Sequence, residues 1–375
     1  MPDDVLAHYR QVIDVGAKAE AAWDAMVAAY EQAYPEQASE LRRILVGKLP
    51  EGWESAVPTF TVGDKPVATR NVSGVVLSAL MKAIPDLMGG SADLSPSNKT
   101  FVKGLGEFQK DTPEGRNMHF GVREHAMGGI LNGMATYPGI RPFGGTFMVF
   151  SDYMRPSVRV AALMQIPVIY VWTHDSFYVG EDGPTHEPVE HLAALRAILG
   201  LTVIRPADAN ETAAAWRLAL ELKTPVALAL TRQNLPIFIA PEVAREGVVR
   251  GAYVVSESPL DKIDLILIAS GSEVADAVAA QKLLAEKGVG ARVVSMPSWE
   301  RFEAQDADYK RSVLPPAITK RLAIEAGVSM GWYRYVGTEG DVLSMTRFGA
   351  SAPYKVLQRE FGFTPENIAE RALAL

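Results

Sequence analysis

The pattern of apolar and polar positions divides the chain into three stretches. Between residue 16 and about 62, AKAEAAWDAMVAAYEQAY is dense in helix formers and stops at Pro35. A second helical stretch, QASELRRILVGKLP, stops at Gly47 and Pro50, and a passage punctuated by Pro58 and Gly63 follows. Two short helices and a loop are too little for a core, so residues 1–62 read as a helical connector. From 63 to 240 helical segments alternate with short apolar runs. These are a helix over 71–84, the run LMGG, a helix opening near Val122, a helical stretch containing TFMVFSDYMRPSVRVAALM, the strand-like PVIYVW, a helix around 211–222, and PVALAL. Residues 241–375 follow the same alternation, with IDLILIAS, a helix over 273–287, RVVSMPS, a further helix, and RLAIEAG. The pattern predicts an α/β protein with two open, mainly parallel sheets behind a connector.

Composition narrows the class. Acidic residues outnumber basic ones 44 to 37, for a net charge of −7. No basic block stands out, which argues against a nucleic-acid partner. There are no cysteines, so disulfides, thiolate metal sites and cysteine nucleophiles are excluded together. The start, MPDDVLAHYR, is charged, and no apolar run approaches the ~20 residues of a bilayer span. The expectation is a cytoplasmic protein.

Ligands of open parallel sheets collect at the carboxyl ends of the strands. Three polar segments stand there. Thr173-His174-Asp175 follows PVIYVW and leads into GEDGPTH. Thr231-Arg232-Gln233-Asn234 follows PVALAL, and SADLSPSN, ending at Asn98, follows LMGG. Taken singly, each residue has an ordinary reading. His174 could cap a strand, Asp182 suits a turn, and Glu124 at a helix start complements the helix dipole. Phe147, Phe150 and Tyr153, three residues apart, could be a core stripe. Arg70 could be a surface cation. Together the segments outline one polar site.

At this point the residues resemble a family. GEDGPTHEPVEHLAALR, residues 180–196, is similar to the second transketolase signature, with Gly180, Asp182, Gly183, Pro184, Thr185, His186 and Arg196 in place. GGSADLSPSN, HFGVREHAM, GGTFMVFSDY, WTHDS, LTRQN, VVSMPS and FGASAP resemble further transketolase segments in the same order. The resemblance covers essentially the whole chain. It implies a connector over 1–62, a pyrimidine-binding domain over 63–240 and a transketolase C-terminal domain over 241–375.

The resemblance also implies roles. Glu124 matches the glutamate that hydrogen-bonds the aminopyrimidine of thiamine diphosphate, a task for a carboxyl group in a desolvated place. Phe147, Phe150 and Tyr153 match the aromatic pocket around that ring, with Phe150 the stacking partner. Asp93 matches a structural aspartate near the cofactor. His174, Asp182 and His186 match the sugar channel, with the two histidines placed among the catalytic groups. Arg70, Ser97 and Arg232, with His174, match the holder of the substrate phosphate, which suits the fixed donor fork of guanidinium. Phe177-Tyr178 and Glu187 depart from the family pattern; Glu187 stands where glutamine is common.

The implied activity is transfer of a two-carbon ketol unit between sugar phosphates of the pentose phosphate pathway by a homodimer. Close relatives sharing this half, such as the β subunit of a 2-oxoacid dehydrogenase or deoxyxylulose-phosphate synthase, are not expected to carry GEDGPTH with THDS upstream. The family holds its diphosphate through Mg²⁺ on a Gly-Asp-Gly motif, and no Gly-Asp-Gly occurs here. The expectation is therefore that the diphosphate-binding domain is missing, and that this chain alone is inactive. It would then be a piece or small subunit of a split enzyme partnered by a separate diphosphate-binding subunit, or a non-catalytic dimerising remnant.

Overall fold

The structure, a computed structural model, describes residues 1–375. Residues Met1–Glu51 with Pro138–Ile140 cluster as one compact unit, and Gly52–Tyr137 with Arg141–Leu375 as another. In the first, a 31-residue helix Asp3–Ala33 is followed by Pro35–Leu45. The first helix starts well before the position read from sequence. Asp3 and Asp4 in its first turn favour a helix start, and Gly16 lies within it. The helix buries no residue, and Val12, Ile13, Trp23 and Met26 are exposed along it.

The second unit holds two sheets. The first contains Leu87–Ser91 (β1), Asn117–His119 (β2), Arg141–Phe147 (β3), Ile169–Thr173 (β4), Thr202–Ile204 (β5) and Val226–Leu230 (β6). Their order is β2-β1-β3-β4-β6-β5, and every pairing is parallel. Strand β3 corrects the sequence reading, which placed Thr146 and Phe147 in a helix. The helix there is Ser151–Met164, reached through a 3₁₀ turn at Met148–Phe150. The proline and two glycines of RPFGGTF hide a strand from propensity. Packing explains Gly144: a Cβ there would stand 2.4 Å from Leu131 Cδ1, on the helix Glu124–Thr136.

The second sheet contains Tyr253–Ser256 (β7), Leu265–Ala269 (β8), Ala291–Ser295 (β9), Arg321–Ile324 (β10) and Asp341–Leu343 (β11), in the order β11-β10-β8-β9-β7. Only β7 is antiparallel. Both sheets are thus open and mainly parallel. A short antiparallel pair, Val67–Ala68 with Asn234–Leu235, stands outside them.

Buried polar links tie the sheets into one body. Arg205 Nε donates to Asp175 Oδ2 at 2.8 Å, its Nη1 pairs with Glu273, and Nη1 also donates to the Ser270 carbonyl at 2.9 Å. Arg196, from the 180–196 segment, pairs with Glu325 at 2.6 and 2.7 Å and lies 4.1 Å from the centre of the Trp299 ring. Glu211 accepts from Tyr253 Oη at 2.7 Å and Ser295 Oγ at 2.6 Å.

Candidate active site

The carboxyl ends of β1 and β3 and the start of the helix Glu124–Thr136 converge on one cavity. It measures about 390 Å³ and is lined by Ala92, Asp93, Leu94, Val122, Glu124, Phe150 and Tyr153. Glu124 stands in the first turn of its helix, partly buried, and shares the cavity wall with Asp93 and apolar side chains. Asp93, just past β1, has a φ of 62°. A left-handed backbone at a residue other than glycine is uncommon and concentrates at functional positions.

The three aromatics of the 147–153 stretch do different things. Phe150 and Tyr153 line the cavity. Phe147 does not line it; the ring is buried and stacks on His174, with centroids 3.7 Å apart. Phe147 and Phe150 lie nearly parallel at 5.9 Å, and Phe150 meets His186 edge-on at 5.6 Å. The aromatic row therefore joins the cavity to the two histidines.

His174 ends β4 with a φ of 63° and is buried. Its orientation comes from a chain of buried hydrogen bonds that the sequence did not reveal. Asn98 Nδ2 donates to Thr173 Oγ1 at 2.7 Å, and Thr173 Oγ1 lies 2.8 Å from His174 Nδ1. A guanidinium can only donate, so facing Arg70 the imidazole proton sits on Nδ1 and donates to Thr173 Oγ1, leaving Nε2 as the acceptor. That nitrogen is 3.5 Å from Arg70 Nη1. Burial first, then Arg70, Arg232 and His186, push the His174 pKa down to about 3. The ring is neutral near pH 7, and its Nε2 accepts from Arg70.

Arg70 Nη1 donates to the Ser97 carbonyl at 3.0 Å, while its buried Nε has no partner. Burial and then Arg232 lower the Arg70 pKa. Neither guanidinium is paired with a carboxylate. Arg70 and Arg232 thus stand together as cations without a counter-charge, an arrangement open to an anion.

His186 Nδ1 lies 3.0 Å from Thr185 Oγ1, and Asp182 is exposed on the same loop. The structure also gathers Asp152, Glu190 and His191, whose potential ligand atoms lie within 4.8 Å of one another. Their closest contact, His191 Nε2 to Asp152 Oδ2 at 3.1 Å, is an ordinary hydrogen bond.

Comparison with known proteins bears on this site. Residues 65–237 match the model of the transketolase pyrimidine-binding domain, and residues 251–364 that of the transketolase-like C-terminal domain. The chain is 59% identical over 378 residues to the transketolase of Geobacillus stearothermophilus, covering all of this chain and 56% of that protein. It is 50% identical over 378 residues to the chloroplastic transketolase of Craterostigma plantagineum, covering all of this chain and 72% of that protein. The chain belongs to the transketolase family.

A crystal structure of transketolase from Pichia stipitis in complex with sedoheptulose-7-phosphate has a TM-score of 0.94 at 44% identity, covering 100% of this chain and 55% of that one. A split-gene transketolase, solved as an inactive β4 tetramer, has a TM-score of 0.68 at 25% identity, covering 82% of this chain and 98% of that one. The chain spans little more than half the length of the first curated relatives it matches. One expectation needs correcting. Residues 1–50, read above as connector, match the model of the transketolase thiamine-diphosphate-binding domain. Part of that domain is therefore represented here. No helix is long and apolar enough to cross a membrane.

Proposed function

We propose that this chain supplies the pyrimidine-binding and sugar-phosphate-binding side of a transketolase, which moves a two-carbon ketol unit from a ketose phosphate to an aldose phosphate. The observation that carries this reading is the pairing of two features along one aromatic row. One is a largely apolar cavity with Glu124 and Asp93 in its wall; the other is a corner of cations without counter-charge.

The cavity suits an aminopyrimidine, since Phe150 offers a ring face and Glu124 an acid at its edge. Thiamine diphosphate, when bound, supplies the carbon nucleophile and electron sink that break the bond beside a ketose carbonyl. Glu124 holds a proton at the ring nitrogen it faces. Phe150 and Tyr153 orient the ring and exclude water, and Phe147 fixes His174 from behind. Asp93 shapes the cavity rim. His174, His186 and Asp182 would take the sugar hydroxyls, with His174 and His186 the catalytic groups among them. Arg70, Ser97 and Arg232, with His174, hold the terminal phosphate. The ligands for Mg²⁺ and the diphosphate belong to the remainder of the diphosphate-binding domain, in the same polypeptide or in a second subunit.

Two exposed surfaces support this assembly. The apolar residues along Asp3–Ala33 offer a face to the rest of that domain. On the helices Glu124–Thr136 and Ser151–Met164, whose first turns line the cavity, Ile130, Val160, Leu163 and Met164 are exposed, and a second copy of the chain covers them in a homodimer. Likeness to the split-gene transketolase favours a second-subunit arrangement as an alternative to a single polypeptide.

The test is Glu124→Gln in the enzyme assembled with its diphosphate-binding domain. Circular dichroism should be unchanged while kcat falls by roughly 10²–10⁴, the contribution of a placed acid or base. Near-normal turnover would contradict the assignment.

A further inference from the structure

Glu187 directly follows His186, and the site described so far gives it no task. Its side chain is 2% exposed, and neither carboxyl oxygen closes a hydrogen bond of good geometry. A buried carboxyl group left this way is costly, so its surroundings call for an account.

Those surroundings come from a distant part of the chain. The segment 347–352 lies directly on the carboxyl group: a Cβ added at Gly349 would stand 1.5 Å from Glu187 Oε2. Only glycine leaves that space. The backbone N–H groups of Ala350 and Gly180 approach the carboxyl group. The same two pieces of chain touch elsewhere. Ser351 Oγ donates to the Glu181 carbonyl at 2.6 Å, and Gly183 packs on Ser351.

We propose that Glu187 is a positioning residue of the sugar channel, whose carboxyl group fastens the loop 180–187, and with it Asp182 and His186, to the segment 347–352. The channel itself rests on the function proposed above; the fastening does not. His186 meets Phe150 edge-on, so the place where this loop is anchored decides where the imidazole stands relative to the cavity.

The groups facing Glu187 make the fastening depend on pH. On its own loop, Asp182 adds a like charge, while Glu181 contributes its backbone carbonyl. On the facing segment, Arg347 lies over the Phe361 ring at 4.6 Å. Burial chiefly, and Asp182 in addition, push the Glu187 pKa from 4.5 up to about 7. A raised carboxyl pKa means that the docked state holds a proton the released state gives up. Docking is therefore strongest below the free value. It weakens as pH rises from about 4.5 to 7 and is level above that.

Hydrogen exchange by mass spectrometry on this chain reads the docking directly, without turnover. After correction for intrinsic exchange, protection of peptides spanning 347–352 should fall on the order of tenfold between about pH 5 and pH 7. Glu187→Gln keeps the shape and removes the titration, so it should stay protected at every pH; Glu187→Ala should be weakly protected throughout. A pH-independent wild type, or an alanine variant as protected as wild type, overturns the proposal. In the assembled enzyme, KM for a ketose phosphate should rise between about pH 6 and pH 8 in wild type and stay level in Glu187→Gln, with kcat within about twofold. A kcat loss at unchanged KM would also overturn it. An enzyme without ketol transfer would defeat the proposed function, and the exchange result would still decide the fastening.

Discussion

Two sets of arginines in this molecule, of one chemical kind, are placed in opposite ways. Arg205 is fully buried, and the fold surrounds it with Asp175, Glu273 and Ser270. Arg196 is similarly held by Glu325 and the Trp299 ring. Arg70 and Arg232 are only partly buried and have no carboxylate, and burial and then Arg232 lower the Arg70 pKa. A buried cation matched by counter-charges within the fold stabilises the fold, because separating the pair strands a charge away from water. A pair of cations left unmatched at the mouth of a sheet is open to an anion from outside. The pairing state therefore separates arginines committed to the fold from arginines open to a ligand, where residue type cannot.

The comparison breaks most visibly at Arg205. Arg205→Met leaves Glu273 and Asp175 buried without a cation, and denaturant unfolding should show a loss of about 3–5 kcal/mol. Arg70→Met in the same assay should lie within about 0.5 kcal/mol of wild type, as expected where no internal partner is lost. A large loss at Arg70 would mean that it serves the fold as Arg205 does.

How much of this was legible in the sequence follows the same division. His174 and Arg232 fall in short polar runs after apolar strands and stand out by position, whereas Glu124 and Phe150 are marked by the family resemblance. The links between the sheets carry neither mark. Arg196 and Glu325 are 129 residues apart, and nothing in either neighbourhood marks the other. Strand β3 was hidden because its glycines serve close packing, which works against strand propensity. The length of the first helix was missed because Gly16 resembles a break, yet no neighbour and no positive φ attends it. Glu187 showed in the sequence as a departure from the family pattern, but its burial under Gly349 is a tertiary fact.

A smaller effect sharpens the comparison from the acidic side. Burial pushes Glu211, at the junction of the sheets, up to about 7, although Ser295, Tyr253 and the Ala207 amide donate to it. Its folded pKa lies above the unfolded value, so the folded state holds the extra proton. Stability from this group falls as pH rises from about 4.5 to 7 and changes little beyond. Urea unfolding should give a free energy about 1 kcal/mol lower at pH 8 than at pH 6 on this account. Glu211→Gln should remove that part of the slope; an unchanged slope in the variant would assign it elsewhere.

The most direct measurement returns to the unmatched cations. In the enzyme assembled with its diphosphate-binding domain, Arg70→Met and Arg232→Met are compared on a phosphorylated aldose and on glycolaldehyde, which has no phosphate. A charge-assisted hydrogen bond contributes about 1.5–3 kcal/mol. KM for the phosphorylated acceptor should therefore rise from roughly tenfold to over a hundredfold, with glycolaldehyde kinetics nearly unchanged. Equal losses on both acceptors would contradict the anion corner and return these arginines to the structural set.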